Sequence, residues 1–137
     1  NFLDNSIKTA SDIEELGLNI LAEFPEIKEM KQNGMSFEDH TVNHPDLSVS
    51  SPDAQNSELQ DSKQFLDSNL SQTTTTVAYP SGRYSETTMQ IAEKLGYKMG
   101  LTTNNGLASL SDGLLSLNRV RVNPTTTSQS LLDEIRN

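Results

Sequence analysis

Two predicted strands that flank a helix constrain the fold most. Residues 73–79 (TTTTVAY) are β-branched and lead into the turn Pro80-Ser81-Gly82, so they predict a strand. Ser85 is a typical N-cap and Gly96 a typical C-terminal stop, and together they enclose the apolar positions of a helix. Residues 97–102 (YKMGLT) predict the next strand. Strands that alternate with helices indicate an α/β fold with parallel strand pairing.

The flanking sequence continues this alternation. Pro25 begins a predicted helix with acidic residues near its start, and Gly34 ends that helix. Further along we expect a short strand at Met35-Ser36-Phe37, a helix over 50–70 capped by Ser50 or Ser51, a strand over 117–122, and a last helix that is capped by Thr127 or Ser128 and runs through Ile135.

Composition narrows the possible functions. The chain has 137 residues and a formal charge of −9, so a phosphate backbone would be repelled and nucleic acid is not an expected partner. A neutral glycan is not disfavoured. Cysteine is absent, which excludes disulfides and thiolate metal sites and leaves histidine and carboxylate as ligands. No apolar run reaches the length of a membrane span or of a signal-peptide core.

The two histidines of the chain, His40 and His44, stand four residues apart in the sequence HTVNHP. In a helical turn this spacing puts both imidazoles on one face, where they can reach one cation. Pro45 disfavours helical backbone at His44, so we expect a helix end beside a loop. The alternative is a pair of exposed or hydrogen-bonded histidines that bind no metal.

Three segments together resemble the polysaccharide deacetylases of the NodB-homology type (carbohydrate esterase family 4). Residues 37–47 (FEDHTVNHPDL) are similar to the His-x-x-x-His-Pro metal motif of that family. Residues 77–103 resemble the strand, Pro-x-Gly turn and helix that follow this motif, and residues 117–122 resemble a late barrel strand. The order and spacing agree from about residue 20 to the end of the chain. The resemblance therefore implies a (β/α) barrel.

The resemblance also implies a chemistry, namely metal-dependent hydrolysis of N-acetyl groups on a polysaccharide. The metal would be held by an Asp together with His40 and His44, and zinc is the expected ion, although imidazole also accepts cobalt or nickel. A second Asp would activate the attacking water. Ser81 matches the residue whose backbone N–H stabilises the oxyanion. The pocket for the acetyl group would include Tyr79, Pro80 and Gly82.

The sequence Ala-Tyr-Pro-x-Gly resembles the branch of the family that acts on poly-N-acetylglucosamine or related cell-surface glycans. This resemblance implies an acetylated glycan of the cell wall or surface as the substrate. It also implies an extracellular or cell-surface location in a bacterium.

The chain departs from the family pattern in three places. The early Asp pair has no match in residues 1–36, Ala78 replaces the usual Arg before the turn, and the late His has no match. We therefore expect residues 1–137 to be the C-terminal portion of a single deacetylase domain, an incomplete barrel that lacks its early strands. The chain begins at Asn1 without an initiator Met, which fits a processed or truncated product.

An incomplete barrel has consequences for activity and assembly. This chain alone is expected to be inactive, because the third metal ligand and the catalytic base would both be missing. Exposed strand edges would be covered by a homodimer or by segment swapping. The alternative function is that of a non-catalytic glycan-binding or structural remnant of such a domain.

Four other side chains have two readings each. Asp39 either orients a ligand imidazole or is a solvated loop residue. Tyr79 either lines a sugar site or packs at a strand end. Arg119 and Arg121, two apart on one predicted strand, lie on the same face; they either support a catalytic carboxylate or have a structural or solvent-facing role, and the second reading is favoured.

Overall fold

Residues 25–109, 111 and 113–136 are described by the structure, which is a computed structural model. Most of the segment in which the early Asp pair has no match, residues 1–24, lies outside the described residues. The chain divides into two compact units, residues 1–36 and residues 37–137.

The described part of the first unit is helix α1, Pro25–Gln32, with the turn that ends it. Gly34 has a φ of 90°, its N–H donates to the carbonyl of Lys31 at 3.0 Å, and Met35 N–H donates to the carbonyl of Met30 at 3.0 Å. This pair of bonds is the Schellman arrangement, so the predicted stop at Gly34 is confirmed. The strand expected at residues 35–37 is wrong, because these residues form no strand in the structure.

A parallel sheet organises the second unit. Strands β1 (Thr76–Ala78), β2 (Met99–Asn105) and β3 (Leu117–Arg119) lie in the order β1-β2-β3, and both pairings are parallel. The predicted α/β class and the parallel pairing are confirmed. β1 and β3 are shorter than the sequence predicted, since residues 73–75 and 120–122 lie outside the ladder.

Three helices accompany the sheet: α2 (Pro52–Leu70), α3 (Glu86–Lys94) and α4 (Ser128–Arg136). Their starts follow local capping chemistry. The Ser51 hydroxyl accepts a bond from Ala54 N–H, Ser85 forms a reciprocal capping box with Thr88, and the Thr127 hydroxyl accepts from Ser130 N–H at 3.1 Å. No helix within the described residues is both long and apolar enough to cross a membrane.

The core of the second unit lies where α2 and α3 pack together beside the sheet. Its buried apolar members come from the loop before α2, from both helices and from the strand ends: Leu47, Leu59, Val77, Tyr79, Ile91, Ala92 and Tyr97. Two of these seven are tyrosines, whose hydroxyl groups need hydrogen-bond partners inside the fold. One of those partners, Asp39, connects Tyr97 in the core to the segment that carries the histidines.

The outer edge of β1 is hydrogen-bonded to Glu38 and Asp39, the two residues that precede His40. Asp39 N–H donates to the Thr76 carbonyl at 3.1 Å, and Ala78 N–H donates to the Asp39 carbonyl at 2.9 Å, which makes a parallel bridge beside Val77. The Glu38 carboxylate accepts from Thr76 N–H at 3.0 Å. The β1 edge is therefore partly covered from within the chain. β3 pairs with β2 and with no other strand among the described residues.

Candidate metal centre

His40 and His44 lie side by side on the loop that follows the β1 bridge. Their ring centroids are 4.9 Å apart and the ring planes meet at 70°. The helical turn expected from their spacing is wrong, because residues 40–44 are not helical. Instead Thr41 and His44 have φ values of 68° and 56°, in the left-handed region. Pro45 favours extended backbone at the residue before it, so the left-handed φ of His44 departs from this local preference.

The Nδ1 atom of His40 is held by the end of β1. It lies 2.6 Å from the carbonyl oxygen of Ala78. A carbonyl oxygen can only accept, so in a neutral ring Nδ1 carries the proton and Nε2 keeps its lone pair. This arrangement, in which one ring nitrogen donates to a backbone carbonyl, is typical of histidines whose other nitrogen binds a metal.

The ring arrangement fits two ligands of one ion. Imidazoles bound to one tetrahedral zinc at about 2.0–2.1 Å have ring centroids roughly 5 Å apart. The observed separation of 4.9 Å agrees with this distance. The described residues contain no cluster of three or more His, Cys, Asp or Glu side chains that could hold a metal. The metal role of the histidine pair stays a prediction.

Both predictions for Asp39, orientation of an imidazole and a solvated loop position, are wrong. Its side chain is neither solvated nor bonded to an imidazole; the residue is 1% exposed. One carboxylate oxygen accepts from the Ser62 hydroxyl at 2.5 Å and from Thr41 N–H at 2.8 Å, and the other accepts from the Tyr97 hydroxyl. Burial and this carboxylate raise the pKa of Tyr97 above its usual value, so the phenol stays protonated and donates.

Glu58, on α2, is a site residue that the sequence did not reveal. Its Oε2 atom accepts from Val42 N–H at 3.0 Å and Asn43 N–H at 2.8 Å, and its Oε1 atom accepts from Asn43 Nδ2 at 2.7 Å. Within α2, Glu58 is an ordinary polar position on an amphipathic helix. The available signal was that Glu58 and Ser62 are four residues apart, because polar residues at this spacing lie on the same face of a helix.

The turn Pro80–Gly82 follows the carbonyl that holds His40. Ser81 is exposed and has a φ of 52°, and none of the described residues accepts a bond from its N–H. Gly82 has a φ of 68°, and a Cβ there would lie 2.7 Å from Thr103 N, so glycine is required. Pro80 is fully buried. The predicted turn is confirmed, and the roles predicted for Ser81, Pro80 and Gly82 stay predictions.

An ion pair joins the two sides of the site. Arg83 Nη1 lies 2.7 Å from the carboxylate of Asp46, which is two residues after His44. The hydrogen bond from Ser48, followed by that from Arg83, holds the pKa of Asp46 below its usual value. The loop that carries the histidines (residues 40–46, the histidine loop) is thus connected to the residues on either side of the turn: His40 bonds to Ala78 before it, and Asp46 pairs with Arg83 after it.

Tyr79 is engaged by the fold. It is 1% exposed, its hydroxyl donates to the carbonyl of Leu115 at 2.9 Å, and its ring stacks on Tyr84 at 4.8 Å. Burial raises the pKa of this phenol above its usual value. These contacts fit the packed reading of Tyr79; contact with a substrate stays a prediction.

Arg119 and Arg121 are not neighbours on one strand face, because β3 ends at Arg119. Arg119 Nε donates to the carbonyl of Thr102 at 2.7 Å, which is a structural contact between β3 and β2. Both arginines line an open cavity of about 330 Å³, together with Thr103, Val120 and Val122.

The chain belongs to the polysaccharide deacetylase family, whose sequence model matches residues 15–100. The Bacillus subtilis (strain 168) protein YxkH is 48% identical over 99 residues, which cover 72% of this chain and 36% of that protein. The family resemblance inferred from the three motifs is confirmed.

Solved structures confirm the NodB-type fold. The Streptococcus pyogenes deacetylase PplD, solved in complex with acetate, is 59% identical and superposes with a TM-score of 0.78 over 80% of this chain and 48% of its own. BC0361, a polysaccharide deacetylase from Bacillus cereus, is 31% identical with a TM-score of 0.71 over 80% of this chain and 35% of its own. The chain thus spans less than half the length of each of these three relatives.

Proposed function

We propose that this chain contributes to the metal-dependent removal of N-acetyl groups from an N-acetylglucosamine polymer. The observation that carries the proposal is the bond between His40 Nδ1 and the Ala78 carbonyl, with the His44 ring 4.9 Å away. It prepares Nε2 of His40 as a metal ligand next to a second imidazole. Membership of the polysaccharide deacetylase family supports the reaction class.

His40 and His44 would hold the ion, for which zinc is the proposed identity, with a carboxylate from outside the described residues as a third ligand. When bound, a divalent metal polarises an acetyl carbonyl and makes a water more acidic. The residues of this chain would do the positioning. Ser81 is an exposed residue, and its backbone N–H would donate to the developing oxyanion. The Tyr79–Gly82 segment would form a wall of the acetyl pocket.

PplD was solved in complex with acetate, which is the product of deacetylation, and this supports the proposed reaction class. Because PplD is 59% identical to this chain, the comparison supports the reaction class more strongly than a shared fold alone would. A neutral glycan also suits a chain with a formal charge of −9, which repels polyanions.

The proposal extends to location and assembly. An enzyme for cell-wall or surface glycans would work outside a bacterial cell or at its surface. A homodimer or a segment swap would cover the edge of β3, whose partner strand is not among the described residues. Light scattering tests the assembly, and a monodisperse monomer would argue against it.

Zinc titration by calorimetry tests the metal centre on three purified proteins: the parent chain, His44→Ala, and Gln90→Ala as an exposed control on α3. We expect weak zinc binding by the parent and the control, because two ligands hold an ion less firmly than three, and none by His44→Ala. Negligible zinc in all three proteins would remove the ligand assignment. Acetate release by the zinc-loaded parent would contradict the expected inactivity of this chain alone.

A non-catalytic glycan-binding or structural remnant is the second candidate. It is favoured by the finding that the described residues contain no cluster of three metal-ligating side chains. N-acetylglucosamine oligomers that bind the parent and His44→Ala equally, in the presence and absence of zinc, would support it. Binding that requires zinc and His44 would support the deacetylase.

A further inference from the structure

The loop between the two histidines is shaped by side-chain oxygens. Four consecutive backbone N–H groups, those of residues 41–44, each donate to a side-chain oxygen. Asp39 accepts from Thr41, Glu58 accepts from Val42 and Asn43, and the Thr41 hydroxyl accepts from His44 at 3.1 Å. None of these four groups donates to a backbone carbonyl of a described residue. The conformation of the loop therefore depends on which acceptors surround it.

One face of α2 supplies two side chains that support the loop, Glu58 as a direct acceptor and Ser62 through Asp39. Glu58 contacts Val42 and Asn43 directly, and Ser62, one turn further along, donates to the Asp39 carboxylate, which in turn accepts from Thr41. Residues at i and i+4 lie above one another on a helix, so both contacts are made from a single surface. A helix anchored in the core by Leu59 is a rigid base for such a surface.

The contacts of Glu58 fall between the two residues with left-handed backbone. Thr41 and His44 have φ values of 68° and 56°, and L-residues adopt this region at a cost in energy. Such a conformation persists where surrounding contacts determine it. The three bonds to Glu58 hold the two intervening residues, and so hold the loop in the form that brings the rings to 4.9 Å.

We propose that Glu58 is a positioning residue for the metal centre: its carboxylate holds Val42 and Asn43 so that His40 and His44 converge on one ion. The claim that Glu58 supports metal binding rests on the proposed function. The claim that Glu58 holds the two imidazole rings close together does not, because the contact between the rings can be measured without metal.

The test compares the full parent chain with Glu58→Ala, Glu58→Gln and Glu93→Ala. Glu93 is an exposed glutamate on α3, so its replacement removes the same charge from a helix without touching the loop. Three quantities are measured on ¹⁵N-labelled protein: the hydrogen-exchange rates of the Val42 and Asn43 amides, the cross-relaxation between the His40 and His44 ring protons, and the zinc dissociation constant.

In Glu58→Ala we expect the exchange of the Val42 and Asn43 amides to accelerate by about tenfold or more. The ring cross-relaxation should weaken, and zinc affinity should fall by about 10–100-fold, as is typical when the support of a metal ligand is lost. Glu58→Gln should lie between this variant and the parent, because an amide oxygen can still accept from two N–H groups. Glu93→Ala should match the parent.

The outcomes separate the two proposals. Parent protein that binds no zinc, together with ring contacts that weaken in Glu58→Ala, would remove the metal centre and keep the positioning role. Ring contacts and zinc affinity unchanged in folded Glu58→Ala would overturn the positioning role alone. Should Glu58→Ala fail to fold, Glu58→Gln decides: values equal to those of the parent in all three measurements would overturn the role.

Discussion

Nδ1 of His40 lies 2.6 Å from the carbonyl oxygen of Ala78, the last residue of β1. This bond attaches the histidine loop to the carboxyl end of a strand in a parallel sheet, which is where binding sites of open α/β sheets occur. The turn with Ser81 begins two residues later. The strand end thus supports the proposed metal ligand on one side and the proposed oxyanion donor on the other.

The first prediction concerns the tautomer of His40. In the neutral ring the proton should reside on Nδ1, because the Ala78 carbonyl can only accept. Nitrogen chemical shifts of the two imidazoles measure this directly at a pH where both are neutral. A proton found on Nε2 of His40 would contradict the bond and the readiness of Nε2 to bind metal.

The second prediction concerns Gly100, which makes room for Tyr79. A Cβ at Gly100 would lie 2.8 Å from Cζ of Tyr79 and 2.5 Å from the Leu115 carbonyl oxygen, both inside van der Waals contact. We expect Gly100→Ala to lower the free energy of unfolding by about 1–3 kcal/mol through overpacking, measured by urea denaturation.

Gly96→Ala is the matched control for Gly100→Ala. Nothing lies within 4 Å of a Cβ at Gly96, but its φ is 90°, so the variant bears backbone strain alone, about 1–2 kcal/mol. Tyr79→Phe should partly rescue Gly100→Ala, because it removes the hydroxyl that the new methyl would meet. No rescue would indicate that the Leu115 carbonyl carries the whole effect.

The third prediction concerns pH. Burial acts to raise the pKa of Asp67, but hydrogen bonds from Lys63 and Thr74 outweigh it and hold the pKa below 3.8. A carboxyl with a lowered pKa in the folded state contributes stability above its ordinary value, and that contribution is lost as pH falls through the lowered one.

Asp67→Asn should therefore destabilise the protein by about 1–2 kcal/mol at pH 7. The difference from the parent should shrink as pH falls below about 4. Urea denaturation across this range measures it, with Asp61→Asn, exposed on the same helix, as the control. A difference that grows toward low pH would show that the sign of the shift is wrong.

The fourth prediction concerns the turn. The proposed donor at Ser81 is a backbone group, so Ser81→Ala should leave acetate binding by the zinc-loaded chain within about twofold of the parent. Gly82→Ala should abolish it, because the added Cβ would lie 2.7 Å from Thr103 N and displace the turn. Acetate titration followed at the residue 81 amide tests both; equal loss in the two variants would assign the role to the Ser81 hydroxyl.

The elements of the second unit were predictable because their signals are local. Ser51, Ser85 and Thr127 cap helices through bonds to residues three positions away, and Gly96 ends a helix through its positive φ. The β-branched and apolar runs between these helices predict strands. Strands that alternate with helices pair in parallel. The strand at residues 35–37 failed because a short run carries little information of its own.

The sequence by itself determined the element order, the family and the proximity of His40 to His44. Tertiary structure decided how that proximity arises: the loop is not a helical turn, because Asp39 and Glu58 accept the N–H groups that a helix would have used. It also decided that Asp39 is buried against Tyr97 and that Tyr79 packs over Gly100. Apart from the bond between Asp39 and Thr41, which are neighbours in sequence, these partners lie between 15 and 58 residues apart. Contacts at that separation depend on how elements pack, and no local pattern encodes them.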